Sequence, residues 1–241
     1  MRLSARRVQA ILRKELREYR RNRQIVVSMA VLPLVLSVYP AIELFALPAS
    51  AAGVLLHKQP LVYMLAIPAI VPAVVAAYSV AGERQQDTLE PVLTTPIRAE
   101  ELLLAKGLAA LVPSLAVSYA VLGAFVAAIE LFAQPGVASM LLRGPALLAQ
   151  LLFTPLVAAL SIWAGIAISA RSSDPRVATQ LSVLANAPLV AVATAISTGG
   201  LHVTLGLALG LGAALLLIDG LGWRIVSPML DRERLITGTR S

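Results

Sequence analysis

The chain has 241 residues, of which 58% are hydrophobic and only 14% charged, with a net charge of +7 and no cysteine. A soluble domain carries roughly a quarter charged residues, so this composition, with a mean hydropathy of +0.82, excludes an ordinary soluble fold and points to a bilayer. The missing cysteines exclude disulfides, thiolate metal sites and a cysteine nucleophile. The basic residues flank apolar runs, which favours membrane lipid over nucleic acid as their partner.

Residues 1–24 read as a basic amphipathic helix. Leu3, Val8, Ile11, Leu12, Leu16 and Tyr19 recur at helical spacing, and Arg6, Arg7, Arg13, Lys14, Arg17, Arg20 and Arg21 fill much of the rest. Such a helix is expected in the interface, its apolar side in lipid and its cations against anionic headgroups. It serves either as an anchor for the first span or as a lever to a cytoplasmic partner. Nine Lys/Arg precede the first apolar run, too many for a cleavable signal, so the segment is expected to be retained.

Six stretches then have the roughly 20 apolar residues that cross a hydrocarbon core: 25–47, 60–82, 107–132, 145–170, 177–198 and 203–223. None alternates as a barrel strand does. The expected fold is therefore all-α, a polytopic membrane protein with six transmembrane helices. Only Gly199, Gly200, Leu201 and His202 separate the last two spans, which demands a tight turn. With the N-terminus inside, the inner segments 1–24, 83–106, 171–176 and 224–241 carry nine, three, two and four Lys/Arg, eighteen in all. The outer loops carry two, Lys58 and Arg143. The positive-inside rule thus places the N-terminus and the tail 224–241 in the cytoplasm. Pro33, Pro40, Pro68, Pro72, Pro113, Pro155 and Pro188 fall within spans, as ordinary bends or as gating hinges.

The inner loop 83–106 is the most informative segment. Thr88 can cap a short helix that tolerates Pro91 in its first turn, and Leu89, Val92 and Leu93 then share one face. Thr95-Pro96 offers a second start, whose helix runs into span three with Glu100 and Glu101 at its positive end. A short helix with an apolar knob and flanking charges suits a groove on another protein. It equally suits a connector resting on the membrane surface.

The same residues carry a resemblance. Glu83-Arg84, Thr88-Leu89-Glu90, Leu93, Thr95-Pro96 and Lys106-Gly107 resemble the pattern between spans two and three of ABC-2 permeases, the membrane subunits of ABC-type exporters. Lys14-Glu15-Leu16 with its trailing arginines is similar to that family's opening helix, and Asp231-Arg232-Glu233-Arg234 to its tail. Asp87 and Ala105 stand where the family often has Gly. The resemblance implies that the loop is a coupling helix seated in a cleft of a separate ABC ATPase. Glu83, Arg84, Thr88, Leu89, Glu90 and Leu93 would make that contact, the leucines by packing and Glu83, Arg84 and Glu90 by orienting. It also implies a second permease chain, identical or related, a prokaryotic inner membrane, and ATP and magnesium held by the ATPase alone.

No Gly-x-x-x-x-Gly-Lys-Ser/Thr loop occurs, so the chain itself has no usual phosphate cradle. No His-Glu-x-x-His or potassium-filter sequence occurs, and His57 and His202 fall in expected outer loops. No catalytic, cofactor or metal residue is therefore assigned. Glu43, Glu130 and Asp219 lie in or near spans, where a carboxylate either meets interfacial water or lines a translocation path. The alternative class is a stand-alone secondary transporter or channel, which would show paired charges near the midplane. The central thirds of these spans carry few ionisable groups.

Overall fold

The structure is a computed structural model that describes residues 4–45, 58–86, 97–133, 138, 142, 144–201 and 204–230. Among these it is helical throughout, without strands, and six helices are long and apolar enough to cross a membrane. Helix α1 is Ala5–Arg21, and α2, Arg23–Phe45, is the first span. The two part at Asn22. Its backbone N–H closes α1 on the Glu18 carbonyl, and its side-chain oxygen accepts from Gln24 N (3.0 Å) and Ile25 N (3.3 Å), so one residue ends one helix and caps the next.

The second span is a 3₁₀ segment, Pro60–Leu65, continuing as α3, Ala66–Gln85. The third is α4, Ala99–Phe132, which at 1.5 Å per residue reaches about 51 Å. That exceeds a hydrocarbon core of about 30 Å, so its first turns stand clear of the membrane as a stem. Glu101 begins the stem by reaching back to the Arg98 N–H, a capping-box contact. The fourth span is α5, Gly144–Arg171.

The fifth span, expected as one helix over 177–198, is two: α6, Pro175–Ala185, and α7, Ala187–Ser197. Pro188 explains the break, since it lacks an N–H and its ring collides with the carbonyl four residues back. Asn186 fills the gap, its amide donating to the Ser182 carbonyl and its oxygen accepting from Ser161 Oγ, both at 2.8 Å. Gly199, at φ 83°, turns the chain after α7. The sixth span is α8, Leu205–Val226, followed by a 3₁₀ turn, Ser227–Leu230.

Helix α3 is the centre of the bundle. In its most apolar window 78% of residues are buried, against 6% in the last span, so α3 is core and α8 faces outward. Leu205, Leu209, Leu216 and Leu217 on α8 are exposed, as are Leu34, Val35 and Ile42 on α2. Apolar surface on that scale belongs in lipid. Helix α3 packs most extensively on α5, and the seam is built from small residues, as membrane helices require for close backbone approach. A Cβ at Gly165 would lie 2.8 Å from Ala76 Cβ and 2.9 Å from the Ala73 carbonyl oxygen. One turn further along, Ser169 Oγ donates to the Ala77 carbonyl (2.6 Å) and accepts from Val80 N (3.1 Å) and Ala81 N (2.9 Å).

Both ends of the described chain meet at one end of the bundle. Val8 and Ile11 of α1 share a buried cluster with Leu102, Leu103 and Ala105 of the α4 stem and with Leu230. Val8, Ile11 and Tyr19 of the α1 stripe, expected in lipid, are thus covered by protein, while Leu12 and Leu16 are half-buried.

Candidate functional site

Where α1 crosses the ends of α3 and α4, three charges are buried together, Glu15, Glu83 and Lys106, with the half-buried Lys14 beside them. Lys106 is completely buried. Its ammonium donates to Glu15 Oε1 (2.9 Å) and the Ser79 carbonyl (2.5 Å) and forms an ion pair with Glu83 Oε2 (2.8 Å). The other Glu83 oxygen takes the ammonium of Lys14, which also lies 3.2 Å from Glu18 at the rim. Two lysines and two buried glutamates balance in charge, which is the condition under which charges survive burial.

The environment shows in the protonation of the α1 groups. Burial pushes the Glu15 carboxyl up from its ordinary pKa, with Lys106 pulling the other way. Burial opposes the charge on Lys14, but Glu15 and Glu83 outweigh it and hold the amine well above its usual value. Burial, with the nearby carboxylates, likewise keeps the Tyr19 phenol protonated far beyond its normal range.

A second tie lies three turns along α1. Glu101 accepts from the Ser4 backbone N–H (2.9 Å) and pairs with Arg7 (3.4 Å). Helix α1 is therefore fastened to the α4 stem at both of its ends, with apolar packing between. Arg84 fastens the end of α3 elsewhere, donating to the Ser172 carbonyl (2.8 Å) and the Ala170 carbonyl (3.3 Å) at the end of α5, where a guanidinium suits the free carbonyls.

These contacts locate two of the residues expected to meet a partner. Glu83 is 5% exposed, within the ion cluster, and Arg84 is occupied by α5. Thr88, Leu89, Glu90 and Leu93 lie outside the described residues, as do His57, His202, Arg143 and the tail from Asp231. Glu83 and Lys106 stand at the two stems of the loop that carries those four. Lys106 and Glu15 had been visible only as parts of family-like motifs. Their pairing spans 91 positions, and no local pattern announces it, although a lysine beside the apolar run of a span already needed a counter-ion.

The carboxylate oxygens of Glu15, Glu18 and Glu83 lie within 4.8 Å of one another, a spacing that suits a cation. The Lys14 ammonium already occupies that position, touching all three. The other three carboxylates do not converge. Glu43, at the outer end of α2, is bound by Lys58 at 2.9 Å. Glu130 is exposed near the end of α4. Asp219 lies in the seam between α8 and α5, beside Trp163.

Among the described residues the bundle has six helices fit to span a membrane, and buried ions join α1, α3 and α4. A search of curated proteins finds no match to the chain. The family profile described as "ABC-2 family transporter protein" matches residues 9–208, from the middle of α1 into α8. The chain belongs to the ABC-2 transporter family, the membrane-spanning permeases of ABC-type transporters.

Proposed function

We propose that this chain is the permease half of an exporter driven by a separate ABC ATPase, which binds the basic end of the bundle through loop 87–96. The basic end is the cytoplasmic one, since eighteen of the twenty Lys/Arg then lie inside. The observation that carries the reading is the ion cluster. Lys106 joins the stem that leaves the loop to Glu83 on the stem that enters it, and both to Glu15 on α1. A push on the loop then moves α1, α3 and α4 as one body rather than bending a slack connector.

Leu89 and Leu93 are assigned the packing contact with the ATPase, and Thr88 and Glu90 the polar rim. Glu83 and Arg84 act from behind, fixing the stem on which these stand. ATP and magnesium are held by the ATPase. Two permease chains pair in the inner membrane, and anionic headgroups lie against the outward arginines of α1.

Co-purification of the tagged chain from its own cell tests this. A stoichiometric partner with a phosphate-binding loop, whose ATP hydrolysis is lost from control of the permease in Leu89→Asp, supports the reading. A chain that purifies alone and moves solute without ATP refutes it.

A further inference from the structure

The buried charges at the basic end are all compensated. Glu15 and Glu83 are balanced by Lys106 and Lys14, and Glu101 has Arg7. Asp219 is different. Both of its oxygens are buried, and neither has a hydrogen bond of ordinary geometry or an ion pair among the described residues. Beside it is Trp163 of α5, whose buried indole N–H is the polar group that faces the carboxyl, short of ordinary hydrogen-bond geometry. A carboxyl within a membrane span that has an indole N–H beside it but no counter-charge is costly, and such groups often mark function. Leucine at the same position would pack without that cost.

The surroundings define what the carboxyl could take. Trp223 lies one turn from Asp219 on α8 and meets Trp163 edge to face, with ring centroids 6.0 Å apart and an interplanar angle of 80°. These are the chain's two tryptophans. The Trp163 ring occupies a slot between two glycines. A Cβ at Gly222 would fall 2.7 Å from Trp163 Cδ1, and one at Gly107 would meet the far edge of the ring at 3.5 Å. Indole faces attract cations, most strongly where water is excluded. A strongly hydrated metal ion would need six or so oxygen ligands, which this seam does not supply. A carboxylate flanked by two indoles suits a cation whose own surface is apolar.

The helix bearing this group is also the one least held by the bundle. Leu215 and Val226 are the buried hydrophobics of α8, and its outer face is apolar and exposed along its length. Its packing is chiefly against α5, so the seam borders lipid along one side. We propose that Asp219, Trp163 and Trp223 form a site for a lipophilic organic cation, such as an amine, quaternary ammonium or phosphonium, reached from the leaflet nearest the basic end. As a substrate site it rests on the permease reading above.

Both tryptophans belong to the site, so intrinsic fluorescence of the purified full chain in detergent reports on it directly. Titration with tetraphenylphosphonium should give a saturable change. Asp219→Asn should weaken its apparent Kd about ten-fold or more, and Asp219→Glu should restore it. Tetraphenylborate, alike in shape and opposite in charge, should show no saturation with the wild-type chain. Equal affinity in Asp219→Asn overturns the site, and so does equal saturation by the anion, a comparison that needs no variant to fold. The titration contains no ATPase. A chain that binds the phosphonium but has no ATPase partner sinks the permease reading and keeps the site. A chain coupled to an ATPase but indifferent to the phosphonium does the reverse.

Discussion

Replacing Lys106 with methionine keeps the length and bulk of the side chain and removes its charge. Glu15 and Glu83 then face each other across a buried gap, and the Ser79 carbonyl loses its donor. Lys14 still holds Glu83 but lies 3.6 Å from Glu15, too far to replace what is lost. Removing one partner from a buried ion cluster costs about 3–5 kcal/mol. For a chain of 150–250 residues each kcal/mol is worth about 2–4 °C in Tm, so Lys106→Met should lower the melting temperature in detergent by roughly 6–20 °C. The second change is the stricter test. Glu15→Gln alone should destabilise, because Lys106 loses a counter-charge. In the Lys106→Met background it should instead recover at least half of the loss, because a balanced Glu83–Lys14 pair remains. Size-exclusion thermal scans of the four proteins measure the cycle. If the two substitutions simply add, the cluster is not a coupled unit and the argument for a rigid loop mount fails.

Two further outcomes test the α3–α5 seam. Gly165→Ala forces Ala73 and Ala76 apart and should cost about 1–3 kcal/mol by overpacking, while Gly165→Leu should leave no monodisperse protein after detergent extraction. Ser169→Ala strips the partner from Ala77, Val80 and Ala81 at about 1–3 kcal/mol for each buried group left unmade. It should speed hydrogen exchange at the Val80 and Ala81 amides, and unchanged exchange there would show that the serine is incidental.

The spans were legible because hydropathy and length are local properties. Six helices long and apolar enough to cross a membrane stand over the six apolar runs, although the third begins at Ala99 rather than 107 and the sixth continues to Leu230 rather than ending at 223. The α4 stem was legible too, from Glu101 and the polar start of its helix. The break at Asn186 was half visible. Pro188 was one of seven prolines within spans, and nothing in the sequence ranks it above Pro113, which sits inside an unbroken α4. What differs is the Asn186 side chain, which bridges to Ser161 on another helix and makes the interruption tolerable. The α1 stripe was read from helical spacing, but periodicity cannot say whether lipid or protein covers an apolar face. Glu83 was assigned to orienting a partner because its counter-ions lie 69 positions away at Lys14 and on the far side of the loop at Lys106. Asp219 was recognised as costly from its place in a span, whereas the tryptophan beside it came from a different helix and needed the fold.

The ion cluster also constrains the order in which the molecule is built. Glu15 and Glu83 leave the ribosome before Lys106, and each emerges without its buried counter-charge. Until the third span is threaded, seating α1 against α3 would bring two carboxylates together with only Lys14 between them. Burial of the two carboxylates is therefore favourable only once Lys106 has arrived, which makes the docking of α1 a late step. Its final position acts as a checkpoint on assembly, because a chain whose third span has failed to insert cannot close its own first turn onto the bundle.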